Sequence, residues 1–396
     1  MEAALDLSVI SPKSQKAADF FRDLVSEILP DLLGHVEGVS NQDRADRVKQ
    51  ALQNISRTYR CKLGNTDTWS RSEWDNAANR CAYVFLYYMH HCHMVYVALQ
   101  PLLEKSLSHV VQRWRQMKYL QVCCIGGGPG PDLVGLTKFL RDTDVVPVGM
   151  LKCSVIDAFP SWKTTWDAIR EKLPDPFPVN YFRCDLVRDT AIEPDVLDII
   201  RRVDLVTLVK CFSAVAAFMR DDPRRSSVFQ AILRELKPGA VVLYIDNEKN
   251  QETWQCFSEI TRMAGLDVLH EWHGKPVIPS GEDSAIIQNY SSALELRPMQ
   301  SCVVSVVLLR KNRPTLSLVR TTDPNKPAVV THPGVPSRNP YLETRLFNQP
   351  DTNAMHVNGH LQVEWPYRKL SKQQQQSTGI YAGGDNIIVN GLPSQK

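Results

Sequence analysis

Gly126, Gly128 and Gly130 stand at alternate positions between an apolar run and a helix-spaced run. The stretch reads Val122-Cys123-Cys124-Ile125-Gly126-Gly127-Gly128-Pro129-Gly130-Pro131-Asp132. Ahead of the glycines the residues read as a buried parallel strand. Behind them Leu133, Leu136, Phe139 and Leu140 recur at helix spacing. A turn without Cβ atoms lets a ligand approach the main chain and offers it the amides at the start of a helix. A dinucleotide fingerprint would read GxGxxG. The spacing here is GxGxG, with Asp132 two residues further on, so that form is not met.

The elements that must position this turn follow from an alternation of short apolar runs with helical ones. Strands are predicted at 120–125, 151–157, 179–184, 203–209, 240–246, 266–272 and 301–310, with helices at 131–141, 161–172, 192–201, 225–236 and 251–264. Such alternation specifies an α/β fold with a doubly wound, mostly parallel seven-stranded sheet. The last two strands are separated by a polar loop, Gly274–Arg297, and are expected to pair as an antiparallel hairpin. In open parallel sheets ligands sit beyond the carboxyl ends of the strands. Asp157 and Asp185 close the second and third strands and stand where a ligand would lie. Either taken alone also reads as a helix cap.

The glycine stretch resembles motif I of the class I S-adenosylmethionine (SAM)-dependent methyltransferases: two apolar residues, an acidic one, an apolar one, then Gly-x-Gly-x-Gly. Val122 to Gly130 match with one departure, Cys124 in place of the acid. The resemblance extends as an ordered series of motifs over roughly residues 110–312. It implies SAM as cofactor, with the methionine end over Gly126, Gly128 and Gly130. Asp157 would take the ribose hydroxyls, Ala158 and Phe159 an adenine face, and Cys184-Asp185 the adenine edge. Lys210 ends the fourth strand, in the motif IV region beside the methyl group, and counts with the cofactor residues. Leu236-Lys237-Pro238-Gly239 is similar to the family's turn into strand five. Phe212, Ser213, Asp246 and Asn247 fall on the acceptor side, with Tyr83, Tyr87 and Tyr88 of the preceding helical region as cover and Tyr87 as the substrate-side candidate.

Methyl transfer from a sulfonium requires alignment, and a general base only where the acceptor holds a proton. Strand four runs into Val209-Lys210-Cys211-Phe212, which lacks the Asn/Asp-Pro-Pro-Tyr/Phe motif of amino-group base methylation. It also lacks the aspartate of a Lys-Asp-Lys-Glu tetrad and the Pro-Cys pair of cytosine-C5 chemistry. RNA, protein and small-molecule acceptors stay open, so the methyl acceptor is unknown. Two other classes stay open as well, a non-catalytic SAM-fold interaction module and an NAD(P)-linked oxidoreductase.

A hydrophobic content of 43% with 22% charged residues is that of a globular chain. A net charge of +3 is too small to point to nucleic acid, which stays open as a partner. No segment reads as a membrane span, a signal peptide or a transit peptide. The scattered cysteines suit a reducing compartment, so the expected location is cytoplasmic, with nuclear open.

Residues 1–110 read as a helical N-terminal region, with helices at 15–33, 42–59, 74–103 and 107–117 capped in part by Asn41 and Ser106. The domain proper spans 111–313. Residues 314–396, with scattered Pro, Asn, Ser and Thr and a glutamine run, read as a disordered tail that could dock a protein partner. His90-His91-Cys92-His93 invites a metal, but consecutive helical residues point about 100° apart and cannot converge on one ion. No metal is expected.

Overall fold

The apolar runs form the strands β1 (Leu120–Ile125), β2 (Leu151–Asp157), β3 (Val179–Arg183), β4 (Leu205–Val209), β5 (Val241–Asn247), β6 (Leu266–Gly274) and β7 (Val304–Lys311). The computed structural model describes residues 12–61, 74–219, 227–247, 251–279, 281 and 283–312, all within one unit. The sheet order is β3-β2-β1-β4-β5-β7-β6. β1 to β5 are parallel, and β7 runs antiparallel between β5 and β6. The two middle strands are covered on both faces, as an unbroken apolar run in a parallel sheet requires: all of β4 is buried, and all of β1 except Gln121. The chain builds β1, β2 and β3 outward, then returns to place β4 on the other flank of β1. That reversal lies at the end of β1, where a crevice opens, and the glycine turn occupies it.

The helices are α1 (Pro12–Gly34), α2 (Asn41–Cys61), α3 (Ala77–Tyr83), α4 (Met89–Ala98), α5 (Ser108–Arg115), α6 (Pro131–Thr143), α7 (Trp162–Glu171), α8 (Pro194–Ile200), α9 (Phe212–Met219), α10 (Ser227–Glu235), α11 (Gln251–Met263) and α12 (Ala285–Leu294). Two were not expected. α12 lies inside the predicted polar loop Gly274–Arg297, and its start was signalled by Ser284, whose Oγ accepts from Ile287 N at 3.3 Å. α9 is short and apolar nearly throughout, so its sequence carries no period.

The single helix expected over 74–103 is instead α3, a π-helical turn at Val84–Tyr88, α4 and a 3₁₀ turn at Gln100–Leu103 containing Pro101. A π turn admits an extra residue and shifts the faces on either side of it. Ser40 rather than Asn41 caps α2, its Oγ accepting from Asp43 N at 3.1 Å. α5 starts at Ser108, with Leu107 rather than Ser106 in the cap position and no side-chain cap bond.

A continuous buried cluster joins Phe21 of α1, Tyr96 of α4, Phe139 of α6 and Val122 of β1. α4 lies closely on α6 at Gly135, where a Cβ would fall 2.4 Å from the Cys92 carbonyl oxygen and 2.9 Å from Val95 Cβ. His90, His91, Cys92 and His93 are all buried, and the three imidazoles have separate partners. His90 faces Cys302 and the Pro276 carbonyl, His91 bonds Tyr83, and His93 bonds Ser14 at 3.0 Å. Burial holds all three imidazoles below their ordinary range, His90 at about 3 and His93 at about 4. Among the described residues no helix is long and apolar enough to cross a membrane, and no His/Cys/Asp/Glu group could hold a metal. The tail expected at 314–396 lies outside the described residues.

Candidate cofactor site at the glycine turn

The turn after β1 is built from left-handed backbone, with φ of +63° at Gly126, +49° at Gly128 and +77° at Gly130. Close approach also matters at two of these positions. A Cβ on Gly126 would lie 2.3 Å from Cys211 Sγ, and one on Gly130 would lie 2.9 Å from the Trp166 ring. Gly126 N donates to Ile156 O at 2.7 Å and Gly130 N to Gly127 O at 2.8 Å, so the loop is closed on itself and tied to β2.

Asp157, at the end of β2, binds the turn directly. Its Oδ2 accepts from Gly128 N and its Oδ1 from Phe159 N, each at 3.0 Å. Burial pushes its pKa up to about 6, against the pull of three backbone N–H groups. The Tyr181 hydroxyl donates to Gly128 O at 3.1 Å and so holds the following peptide of the same glycine. Asp185, just past β3, folds its Oδ1 back onto Val187 N and Arg188 N, each at 3.0 Å. Lys210, past β4, takes a left-handed φ of +54°, a cost for a residue with a Cβ. Its N–H bonds Ile245 O at 2.8 Å, and its Nζ donates to Asn247 Oδ1 at 2.5 Å.

These groups enclose a cavity of about 190 Å³. Gly126, Gly128, Asp157, Ala158, Phe159, Cys184, Asp185 and Lys210 all line it. Gly130 does not; it sits beneath, at the start of α6. Tyr87, Phe212, Ser213, Asp246 and Asn247 are also outside the lining. Phe212 is fully buried against Phe229 and Phe257, at ring separations of 5.0 and 5.1 Å. Asp246 is fully buried too, and its carboxylate caps α9 through Ser213 N at 2.7 Å while accepting from Asn247 N at 2.8 Å. Tyr87 stacks on His91 with centroids 5.7 Å apart, and it is Tyr83 that reaches the cavity. The π turn between α3 and α4 rephases these faces, which no periodicity count foresees.

Sequence reasoning missed Trp74 and Trp162, which meet at 5.1 Å and wall the cavity beside Tyr83. It also passed over Asp132, a carboxylate 2% exposed that accepts from Thr207 Oγ1 at 2.5 Å. Burial pushes Asp132 up to about 7. An acid two residues past a GxGxG turn was the available signal for it.

No family model matches the chain, and no curated protein matches it. Solved structures similar to it include an O-methyltransferase family protein from Burkholderia thailandensis, 13% identical over 72% of this chain and 77% of that one, with a TM-score of 0.36. A precorrin-6y C5,15-methyltransferase from Geobacter metallireducens is 12% identical over 54% and 91%, with a TM-score of 0.33. A SAM-dependent methyltransferase from Methanosarcina mazei is 9% identical over 51% and 97%, also at 0.33. Likenesses this distant carry no functional argument. The topology is another matter: five parallel strands wound both ways from β1 and closed by an antiparallel β7 are what the motif I resemblance implied. The chain has the class I methyltransferase fold.

Within that fold the local charges are unusual for an anion-binding turn. Gly128 N, an amide that a phosphate would need, is already taken by Asp157. α6 opens with Pro131, which has no N–H, followed by the buried Asp132. Asp246 is a third buried carboxyl, raised by burial and drawn back by Lys210.

Proposed function

We propose that this chain binds SAM in the cavity above Gly126 and Gly128 and transfers its methyl group to an acceptor. The observation that carries this reading is the Asp157 carboxylate seated on the Gly128 amide. A dinucleotide pyrophosphate would meet a carboxylate where it needs an N–H, whereas SAM brings a sulfonium and an ammonium against a single carboxylate. The residues present fit the cofactor. Gly126 and Gly128 leave bare backbone for the methionine end, Asp157 retains lone pairs for the ribose hydroxyls, and Phe159 offers an apolar face to adenine. Asp185 Oδ1 is engaged by its own loop, which leaves Oδ2 as the acceptor for the adenine amino group.

When bound, SAM supplies an electrophilic methyl group. The protein's part is to hold cofactor and acceptor in line and to keep water away. Trp74, Tyr83 and Trp162 wall the cavity. The Tyr83 hydroxyl shares a hydrogen bond of 3.1 Å with His91 Nδ1, and burial keeps His91 neutral. Tyr83 is therefore an oriented hydroxyl next to the cavity and the group best placed to handle an acceptor's proton.

Calorimetry distinguishes the readings. SAM and S-adenosylhomocysteine are expected to bind in the micromolar range and NAD not at all; NAD binding without SAM binding would favour the oxidoreductase reading instead. The second test is turnover, measured as S-adenosylhomocysteine release on cell-extract fractions and then on the acceptor so identified. Tyr83→Phe is expected to lower it tenfold or more while SAM affinity stays within about twofold. A fall in SAM affinity with unchanged turnover per bound cofactor would make Tyr83 part of the cofactor pocket. SAM binding with no methyl acceptor in any fraction would favour a non-catalytic module, a reading that the inaccessible Phe212 and Asp246 already support.

A further inference from the structure

Asp132 has no role in the site as described above, yet its setting is costly. The side chain lies in the first turn of α6 and is 2% exposed. Its recorded partner is the hydroxyl of Thr207 on β4, at 2.5 Å. Thr207 is the register partner of Cys124 on β1, so the two side chains share one face of the sheet, the face on which the Asp132 carboxylate lies. A strand acid at 124 would extend into the same space. Cys124 is short, and Gly127 closes down on it, a Cβ at 127 falling 2.6 Å from Cys124 Cβ. The carboxylate on this face thus hangs from α6 at Asp132, while the strand position carries the Cys124 thiol.

The groups that sense Asp132 are Cys124 of β1, Tyr88 of the π turn, Cys92 of α4, Tyr181 of β3 and Cys211 beyond β4. Burial holds each of these thiols and phenols well above its ordinary value, so all stay neutral near pH 7. No cation among the described residues offsets the aspartate. A buried acid behind a ligand-binding turn and without a counter-charge favours its neutral form until a positive charge is brought close to it.

We propose that Asp132 is the ligand-linked charge of this site: held by Thr207 behind the glycine turn, it ionises as the positive charge of SAM arrives, and so couples cofactor binding to release of a proton into solvent. The inference rests on the SAM reading. It makes Asp132 a positioning residue that acts through the field at the turn, not one that touches the cofactor.

The test is calorimetric titration of the full chain with SAM at pH 7 in two buffers of different ionisation enthalpy. Wild type is expected to release about half a proton and to bind more tightly as pH rises from 6 to 8, by up to about tenfold per unit on the acid side. Asp132→Asn is expected to weaken binding at pH 8 by tenfold or more and to abolish the release. Cys124→Asp in the Asp132→Asn background returns a carboxylate to Thr207 and is expected to restore both.

Should Asp132→Asn fail to fold, Thr207→Val serves in its place. It keeps the acid but removes its hydrogen bond, which moves the affinity profile to higher pH. Asp157 titrates nearby, at about 6, and Asp157→Asn run in parallel isolates its share. Wild-type binding of SAM with Asp132→Asn unchanged in affinity and proton release overturns the inference. Wild type that binds no SAM overturns the cofactor reading beneath it.

Discussion

Asp157→Ala is expected to raise the dissociation constant for SAM by a hundredfold or more, the largest effect of any single substitution in the cavity. Two losses combine. The ribose hydroxyls lose a charged acceptor, a contribution of roughly 1.5–3 kcal/mol for a hydrogen bond to a charged group. Gly128 N and Phe159 N lose their shared partner, so the glycine turn and the start of the β2–α7 connection come apart. Isothermal titration gives the affinity, and thermal unfolding without ligand checks that the chain is intact. Binding within threefold of wild type would remove Asp157 from the site. The sign with pH is equally definite. Asp157 protonates near 6, so SAM affinity should fall as the pH drops through that value, and Asp157→Asn should lose that acid limb.

Gly135→Val is expected to cost the most stability. The new Cβ would sit 2.4 Å from the Cys92 carbonyl oxygen, a main-chain atom that no rotamer change can move. α4 and α6 would have to separate, at a cost of about 3 kcal/mol or more, lowering the melting temperature by roughly 10 °C. Gly149→Ala is the control, since a Cβ there meets nothing within 4 Å. A melting temperature for Gly135→Val equal to that of the control would show that α4 does not rest on α6.

The sheet was legible because each strand is an apolar run between turn residues, and because Gly126, Asp157 and Asp185 all fall at strand ends. The cofactor-side residues came together for the same reason: parallel strands bring their carboxyl ends to one edge, whatever the distance in sequence. The acceptor side was not legible. Placing Phe212 and Asp246 at strand ends said nothing of burial: Phe212 packs inward at the start of α9, and Asp246, buried on β5, caps that helix. Which of Tyr83, Tyr87 and Tyr88 faces the cavity was not legible either, because the π turn shifts the helix faces and leaves no mark in composition. Asp132 was visible as a residue but not as a charge, since its burial depends on β4, which enters the sequence 75 residues later.

That separation bears on the order in which the molecule is assembled. β1 meets β2 early in the chain, but the pairing of β1 with β4 closes a loop of more than eighty residues, with Gln121 N bonded to Asp204 Oδ2 across it. Loop closure of this length is paid before its contacts return anything, which makes the β1–β4 seam a late event in folding. The glycine turn, Asp132 and Lys210 become a site only when that seam shuts. A cofactor then has nothing to grip in the partly folded chain. SAM bound as proposed would act as a latch on the finished protein, slowing its opening while leaving the rate of its formation almost untouched.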